Sequence, residues 1–114
     1  MLRLNCKIAI VLLLLGLSGF AAAQTAVKIH EILRHPSDYG GHDVAVFGTV
    51  KGLSIQDHYD TFLICGGHCL NVIAWGHPRI VEGQALSVRG RFELVKRVDH
   101  RRLEHVIEVQ KGSL

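Results

Sequence analysis

The sequence lacks the short motifs that mark the common catalytic mechanisms. It contains no Gly-x-Ser-x-Gly nucleophile motif, no His-Glu-x-x-His zinc motif and no glycine-rich phosphate loop. No pair of carboxylates has a spacing that implies a shared site, and Asp57 and Asp60 beside His58 are explained more simply as a polar loop. The sequence therefore predicts a binding protein, not an enzyme.

The chain also lacks an apolar run long enough for a typical membrane-spanning helix. The run at residues 8–15 ends at Gly16, whereas a span needs about 20 residues. Arg3 and Lys7 precede this run and three alanines occupy positions 21–23, which is the order of parts in a secretory signal. We therefore predict a cleaved signal peptide at residues 1–23 and a single periplasmic or secreted domain at residues 24–114, without a membrane span.

A strong excess of one charge is missing as well. The whole chain has 13 Lys and Arg against 10 Asp and Glu, and removal of Arg3 and Lys7 with the signal leaves 11 against 10. A charge this close to zero gives no general attraction to nucleic acid, so any such binding must come from a local patch. All eight histidines lie after residue 23, and histidine both titrates near neutral pH and ligates metals.

Cysteine is scarce, because loss of Cys6 with the signal leaves Cys65 and Cys69 alone. They flank Gly66-Gly67-His68, a spacing typical of a three-residue hairpin loop, and an oxidising compartment favours a disulfide between them. One alternative is a copper or zinc site formed by Cys65, His68 and Cys69, with His58 or His77 as further ligands. A redox-active dithiol is another, and the disulfide interpretation requires no cofactor.

Hydrophobic periodicity predicts a mostly β protein. A short helix is expected within residues 25–35, ended by Pro36, and the turn-forming residues at 36–41 predict a chain reversal. Apolar alternation and apolar runs then predict five strands, at residues 43–52, 61–65, 70–75, 86–94 and 103–109. Glycines in the first and fourth of these strands suit a small closed sheet.

Several stretches together resemble the OB-fold, in particular small exported OB-fold proteins related to anticodon-binding and helicase-associated domains. They are Glu31-Ile32-Leu33 with Pro36 and Tyr39-Gly40-Gly41, and the segments 44–50 and 82–92. The resemblance implies an all-β, five-stranded OB-fold barrel with a short N-terminal helix. Two departures are the Cys65 to Cys69 hairpin and a connector of residues 78–81 in place of the usual helix, which leaves the N-terminal helix as the expected cap.

In an OB-fold barrel, two loops flank the binding face of the second and third strands. The loop before the fifth strand would offer Lys96, Arg97, His100, Arg101 and Arg102, and the loop after the first strand would offer His58 and Tyr59. Cations beside aromatic rings suit single-stranded nucleic acid, although a solvated hairpin tip or another anionic partner fits the same pattern. Trp75, which ends the third strand, would either stack on a ligand or pack at the rim.

Residues 82–93 are also similar to the fourth strand of the exported haem chaperone of cytochrome c maturation, another OB-fold protein. The nearest candidates for its haem-attaching histidine are His100 and His105, and neither surrounding sequence matches. We therefore expect a non-enzymatic OB-fold binding module for nucleic acid, another anionic ligand or an envelope protein. The alternative is a metal or haem carrier that uses the Cys65 to Cys69 hairpin.

Overall fold

The structure, a computed structural model, describes residues 26–114, and the predicted signal peptide with Cys6 lies outside this range. Two short helices come first, α1 (Ile29–Arg34) and α2 (Pro36–Tyr39). Five strands follow: β1 (Asp43–Ile55), β2 (Tyr59–Gly66), β3 (His68–Trp75), β4 (Ala85–Val98) and β5 (Arg101–Val109). The prediction of an all-β protein with five strands is confirmed.

The five strands close into a ring in the order β1-β2-β3-β5-β4, with β4 paired back to β1. All neighbours are antiparallel except β3 and β5, which run parallel from the pair Asn71 and Val106 to the pair Ala74 and Val109. Long β1 and β4 strands make this closure possible, because each pairs with one neighbour along its first part and another along its second part.

The interior of the ring is the main hydrophobic core. Val44, Val46 and Val50 alternate inward from β1, as their period of two predicts. Each of the other strands contributes alternating apolar residues to the same cluster, including Phe62, Ile64, Leu70, Val72, Val88, Phe92, Ile107 and Val109. The odd-numbered residues of β2, β3 and β1 as far as Lys51 therefore lie on the outer face of the ring, and a register shift after Lys51 turns Leu53 towards the core.

The N-terminal segment covers one end of this core. Ile29 and Ile32 of α1 are buried in the main cluster, and the amide of Val27 donates to the carbonyl of Ala45 on β1. The predicted reversal at residues 36–41 is corrected in part, because residues 36–39 form α2. Pro36 occupies the first turn of that helix, where its fixed φ fits and its missing N–H costs nothing.

The predicted loop of basic residues before β5 is wrong in extent. Strand β4 continues through Lys96 and Arg97 to Val98, and β5 already begins at Arg101. Only Asp99 and His100 form the turn, with φ of 49° and 66°. Two consecutive residues with positive φ are typical of the type I′ turns that join tightly paired strands. We call the projecting hairpin of residues 94–104 the arm.

The arm makes a second hydrophobic cluster, outside the ring. Tyr59, Ile73 and Val106 are buried there, and Trp75, Val98 and Leu103 pack against them. Because the first three side chains point outward, the arm, together with Trp75, removes them from water. The prediction that Tyr59 belongs to a loop is therefore wrong: Tyr59 is the first residue of β2 and is 2% exposed.

The connector between β3 and β4 contains no helix, as the sequence indicated. Its Glu82 carboxylate accepts hydrogen bonds from the amides of Gly52 and Leu53, each at 2.9 Å. These two backbone bonds lower the pKa of Glu82. Glu82 thus accepts hydrogen bonds from the backbone of β1 beyond Thr49, the last β1 residue that pairs with β4.

Within residues 26–114 no helix is both long and apolar enough to cross a membrane.

Candidate functional site

The arm carries the predicted basic residues, but strand alternation divides them between its two faces. Lys96 pairs with Leu103 and Val98 with Arg101 on the face that packs on the outer cluster, while Arg97 pairs directly with Arg102 on the other face. The structure therefore does not bring all five basic side chains to one surface.

Two of these cations are also engaged by carboxylates of β5. Lys96 Nζ lies 3.2 Å from Glu108 Oε1, and Arg102 forms an ion pair with Glu104. The hydrogen bond from Arg102 lowers the pKa of Glu104. In the described part of the chain Arg97, His100 and Arg101 have no ion-pair partner, and the two arginines carry positive charge that no carboxylate pairs with.

The two aromatic candidates, Tyr59 and Trp75, are held by the protein itself. Their rings meet edge to face at 5.2 Å, the Tyr59 hydroxyl donates to Asp99 at 2.7 Å, and Trp75 Nε1 donates to Glu108 at 2.7 Å. The hydrogen bond to Asp99, with burial, raises the pKa of Tyr59. The structure thus shows Trp75 packed at the rim, and the neighbouring loop offers an exposed His58.

Cys65 and Cys69 form the predicted disulfide, with an S–S distance of 2.04 Å. They are directly opposite each other in the β2–β3 pairing, with Gly66 opposite His68. Because neighbours in a strand point to opposite faces, Cys69 lies on the outer face and His68 on the side of α1. A Cβ on Gly66 would lie 3.8 Å from Ile29 of α1, which places the helix on that second side.

This alternation separates the predicted metal ligands. The ring of His68 has His30 of α1 as its neighbour, 6.4 Å away between centroids, on the side away from the sulfurs. No group of three or more His, Cys, Asp or Glu side chains within 26–114 is placed to hold a metal ion. The two histidines considered for haem attachment lie in different surroundings. His105 stacks on the ring of the core residue Phe92, with the ring centroids 6.2 Å apart, and His100 lies in the turn of the arm.

His77, considered above as an extra metal ligand, is bound instead by two acceptors. Its Nδ1 lies 2.7 Å from Oδ1 of Asp60, and its Nε2 lies 3.0 Å from the carbonyl of Asp57. These contacts, the first more strongly, raise the pKa of His77. The Asp60 carboxylate is 1% exposed, and its Oδ2 has no hydrogen-bond partner among the described residues. The pair joins the β1–β2 loop to the β3–β4 connector.

The sequence did not predict a pair of neighbouring carboxylates on β4 and β5. Glu93 of β4 and Glu108 of β5 are close enough to affect each other's titration, and Glu108, with burial, raises the pKa of Glu93. Burial alone would raise the pKa of Glu108, but bonds from Glu93, Trp75 and Lys96 outweigh it and lower that pKa. The sequence alone did not show which residues of β4 and β5 face each other. The structure places Arg91 directly opposite Glu108.

The outer face remains open where the arm ends. Phe47 of β1 is 62% exposed and Leu63 of β2 is 36% exposed. Between them lie Thr49 and the disulfide, since Thr49 pairs with Cys65. Lys51 pairs with Leu63, and Asn71 lies on its other side. We call these residues of β1, β2 and β3 the open face; its aromatic ring, Phe47, was not among the predicted site residues.

Comparison with models of known protein families gives no match for this chain, and comparison with curated proteins gives none either.

Proposed function

We propose that the chain is an exported OB-fold binding module, and that single-stranded nucleic acid or a similar anionic, ring-bearing ligand binds its open face. The ring order β1-β2-β3-β5-β4 with one parallel pair supports this assignment, because OB-folds are five-stranded Greek-key barrels that bind oligonucleotides on the outer side of their second and third strands. The resemblance of residues 44–50 and 82–92 to OB-fold domains points the same way.

The exposure of Phe47 is the observation that carries the proposal. A phenyl ring that is 62% exposed in the middle of a strand offers a flat apolar surface, and stacking on such a ring stabilises each bound base by about 1–3 kcal/mol. Leu63 and the disulfide extend this surface across β2. Lys51 on the same face supplies a cation for a phosphate group.

The arm supplies the remaining charge. It crosses the Tyr59 and Trp75 end of the outer face, and its Arg97 and Arg101, on opposite faces of the arm, have no ion-pair partner among residues 26–114. Cations along an aromatic surface produce binding that weakens as salt rises, because bound phosphates release their counterions. The predicted binding face consisted of β2 and β3. The arm covers the Tyr59 and Trp75 end of that face, so the open face lies nearer to β1.

The test is the binding of a fluorescent oligothymidylate measured by anisotropy at 50 and 200 mM salt. We expect saturable, salt-sensitive binding, and an approximately tenfold weakening in Phe47→Ala from the loss of one stacked base. Val81→Ala is the matched control, since Val81 is 63% exposed on the connector. The double substitution of Arg97 and Arg101 by Gln should lower the salt dependence, whereas Arg34→Gln on α1 should not.

Two results would overturn the proposal. One is the absence of salt-sensitive binding by the unsubstituted protein. The other is equal affinity for the Phe47→Ala variant, because the open face would then have no part in the contact. Circular dichroism of each variant establishes that the fold is retained, which is expected because Phe47, Arg97 and Arg101 are exposed.

A further inference from the structure

The outer side of β4 forms a groove beside the open face. It lies over β1 and β4, is bounded by Ala26 near the start of the described chain and by Ser113 near its end, and has a volume of about 770 Å³. Sites for small molecules usually have volumes of about 300–1,000 Å³. Arg89 and Arg91 of β4 line this groove together with Ser87.

The two arginines lie side by side on one face of the strand. Residues two apart in a strand point the same way and are separated by about 7 Å. Both side chains are exposed, and neither makes an ion pair or a side-chain hydrogen bond with any residue from 26 to 114. Their donors are therefore available to a ligand.

The carboxylates of the groove do not neutralise Arg89. Arg89 pairs with Ala45 of β1, whereas Arg91 lies between Asp43 on β1 and Glu108 on β5. Glu108 already accepts hydrogen bonds from Trp75 and an ion pair from Lys96. Positive charge is consequently concentrated at the Arg89 end of the groove, next to Ser87.

We propose that this groove binds a small molecule bearing an oxyanion, a phosphate ester or a carboxylate, through Arg89 with help from Arg91 and Ser87. The planar guanidinium group presents paired N–H donors that match two oxygens of such an anion. The Ser87 hydroxyl adds a neutral donor, as do Gln110 and Ser113, which also line the groove. The groove adjoins the open face, because Ser87 is directly opposite Phe47 of β1, but this proposal does not rest on the function proposed for that face.

The experiment is a titration of the protein at pH 7 with inorganic pyrophosphate and, separately, with succinate, observed through the arginine Nε–H resonances. We expect saturable shifts at Arg89 and Arg91, and the stronger of the two probes identifies the class of ligand. Arg89→Gln should weaken binding at least tenfold, Arg89→Lys by less, and Arg79→Gln, an exposed connector arginine, should leave it unchanged.

Shifts that rise linearly without saturation, or an equal loss of binding in Arg79→Gln, would overturn the proposal, because both indicate general attraction to surface charge. Leu63→Ala separates this site from the open face, because Leu63 lies on β2, whereas Phe47 is directly opposite Ser87 of the groove. It should leave pyrophosphate and succinate binding unchanged, so failure of the oligonucleotide experiment and failure of this one are distinct results. Arg89 is exposed, and a thermal melt of Arg89→Gln is expected to match that of the unsubstituted protein.

Discussion

The hydroxyl of Tyr59 at the start of β2 donates a 2.7 Å hydrogen bond to Oδ2 of Asp99 in the turn of the arm. This contact ties the tip of a long hairpin to the outer face of the ring, where Val98 and Leu103 pack against the cluster that contains Tyr59. The arm is therefore part of the folded structure of the domain, and it closes one end of the outer face.

Tyr59→Phe should lower the free energy of unfolding by about 1 kcal/mol, the usual net value of one hydrogen bond. Urea unfolding followed by circular dichroism measures the difference. Tyr39→Phe is the matched control, because the Tyr39 hydroxyl makes no hydrogen bond to the described residues. If the two variants lose the same stability, the bond to Asp99 contributes nothing.

His77→Gln should remove a pH dependence of stability. Since contact with Asp60 and Asp57 raises the pKa of His77 in the folded state, its contribution is complete below the unfolded value of about 6.5 and is lost as the pH rises through the folded value. Unfolding by urea between pH 5 and 9 should therefore show a decline with pH that His77→Gln flattens and His58→Gln, in the exposed loop, retains. An unchanged slope in His77→Gln would contradict this assignment.

Glu82→Ala should destabilise the protein at pH 7, because the amides of Gly52 and Leu53 lose their acceptor. The pKa of Glu82 is lowered in the folded state, so its contribution is present above the unfolded value near 4.3 and falls as the pH drops through the folded value. The deficit of Glu82→Ala should accordingly shrink between pH 7 and 3. Glu82→Gln, which keeps one carbonyl acceptor, should lose less at pH 7.

Gly48→Ala tests the closeness of β1 and β2. A Cβ at Gly48 would lie 2.6 Å from the backbone oxygen of Cys65, so the strands must separate. We expect a loss of roughly 1–3 kcal/mol, as for other overpacked interiors. Gly66→Ala is the control, since its Cβ would meet its nearest neighbour at 3.6 Å. Equal effects of the two substitutions would exclude the proposed clash.

The core was predictable because each strand alternates on its own. Val44, Val46 and Val50 point inward in both the predicted and the observed β1. The arm was not predictable in this way, since Val95 breaks the alternation that runs to Leu94 and the charges from Lys96 to Arg102 are typical of a loop. Its strands are stabilised by packing on Tyr59, a contact between distant parts of the chain.

The contacts of Asp60 and His77 escaped prediction for a related reason. Asp60 lies among polar loop formers in the sequence, yet β2 already includes it and the fold buries it to 1% exposure. His77 is a partner only because the β3–β4 connector returns to the same end of the ring. The exposure of Phe47 was also not predicted, because it depends on which outer surface the arm leaves uncovered.

Replacement of both Cys65 and Cys69 by serine should lower the free energy of unfolding by about 2 kcal/mol, the loop-closure value for so short a loop. The unsubstituted protein treated with dithiothreitol should show the same loss, while the double variant should not respond to reductant. Urea unfolding with and without dithiothreitol, together with a count of free thiols, measures both.

The reduced protein and the double serine variant also distinguish a structural disulfide from a metal-binding hairpin. If reduction exposed a site formed by Cys65, His68 and Cys69, added zinc would restore the stability of the reduced protein, because a ligand that binds only the folded state stabilises it. We expect no such recovery, since the two cysteines lie on the outer face and His68 on the side of α1. Recovery by zinc in the reduced protein, absent from the serine variant, would instead assign these residues to a metal carrier.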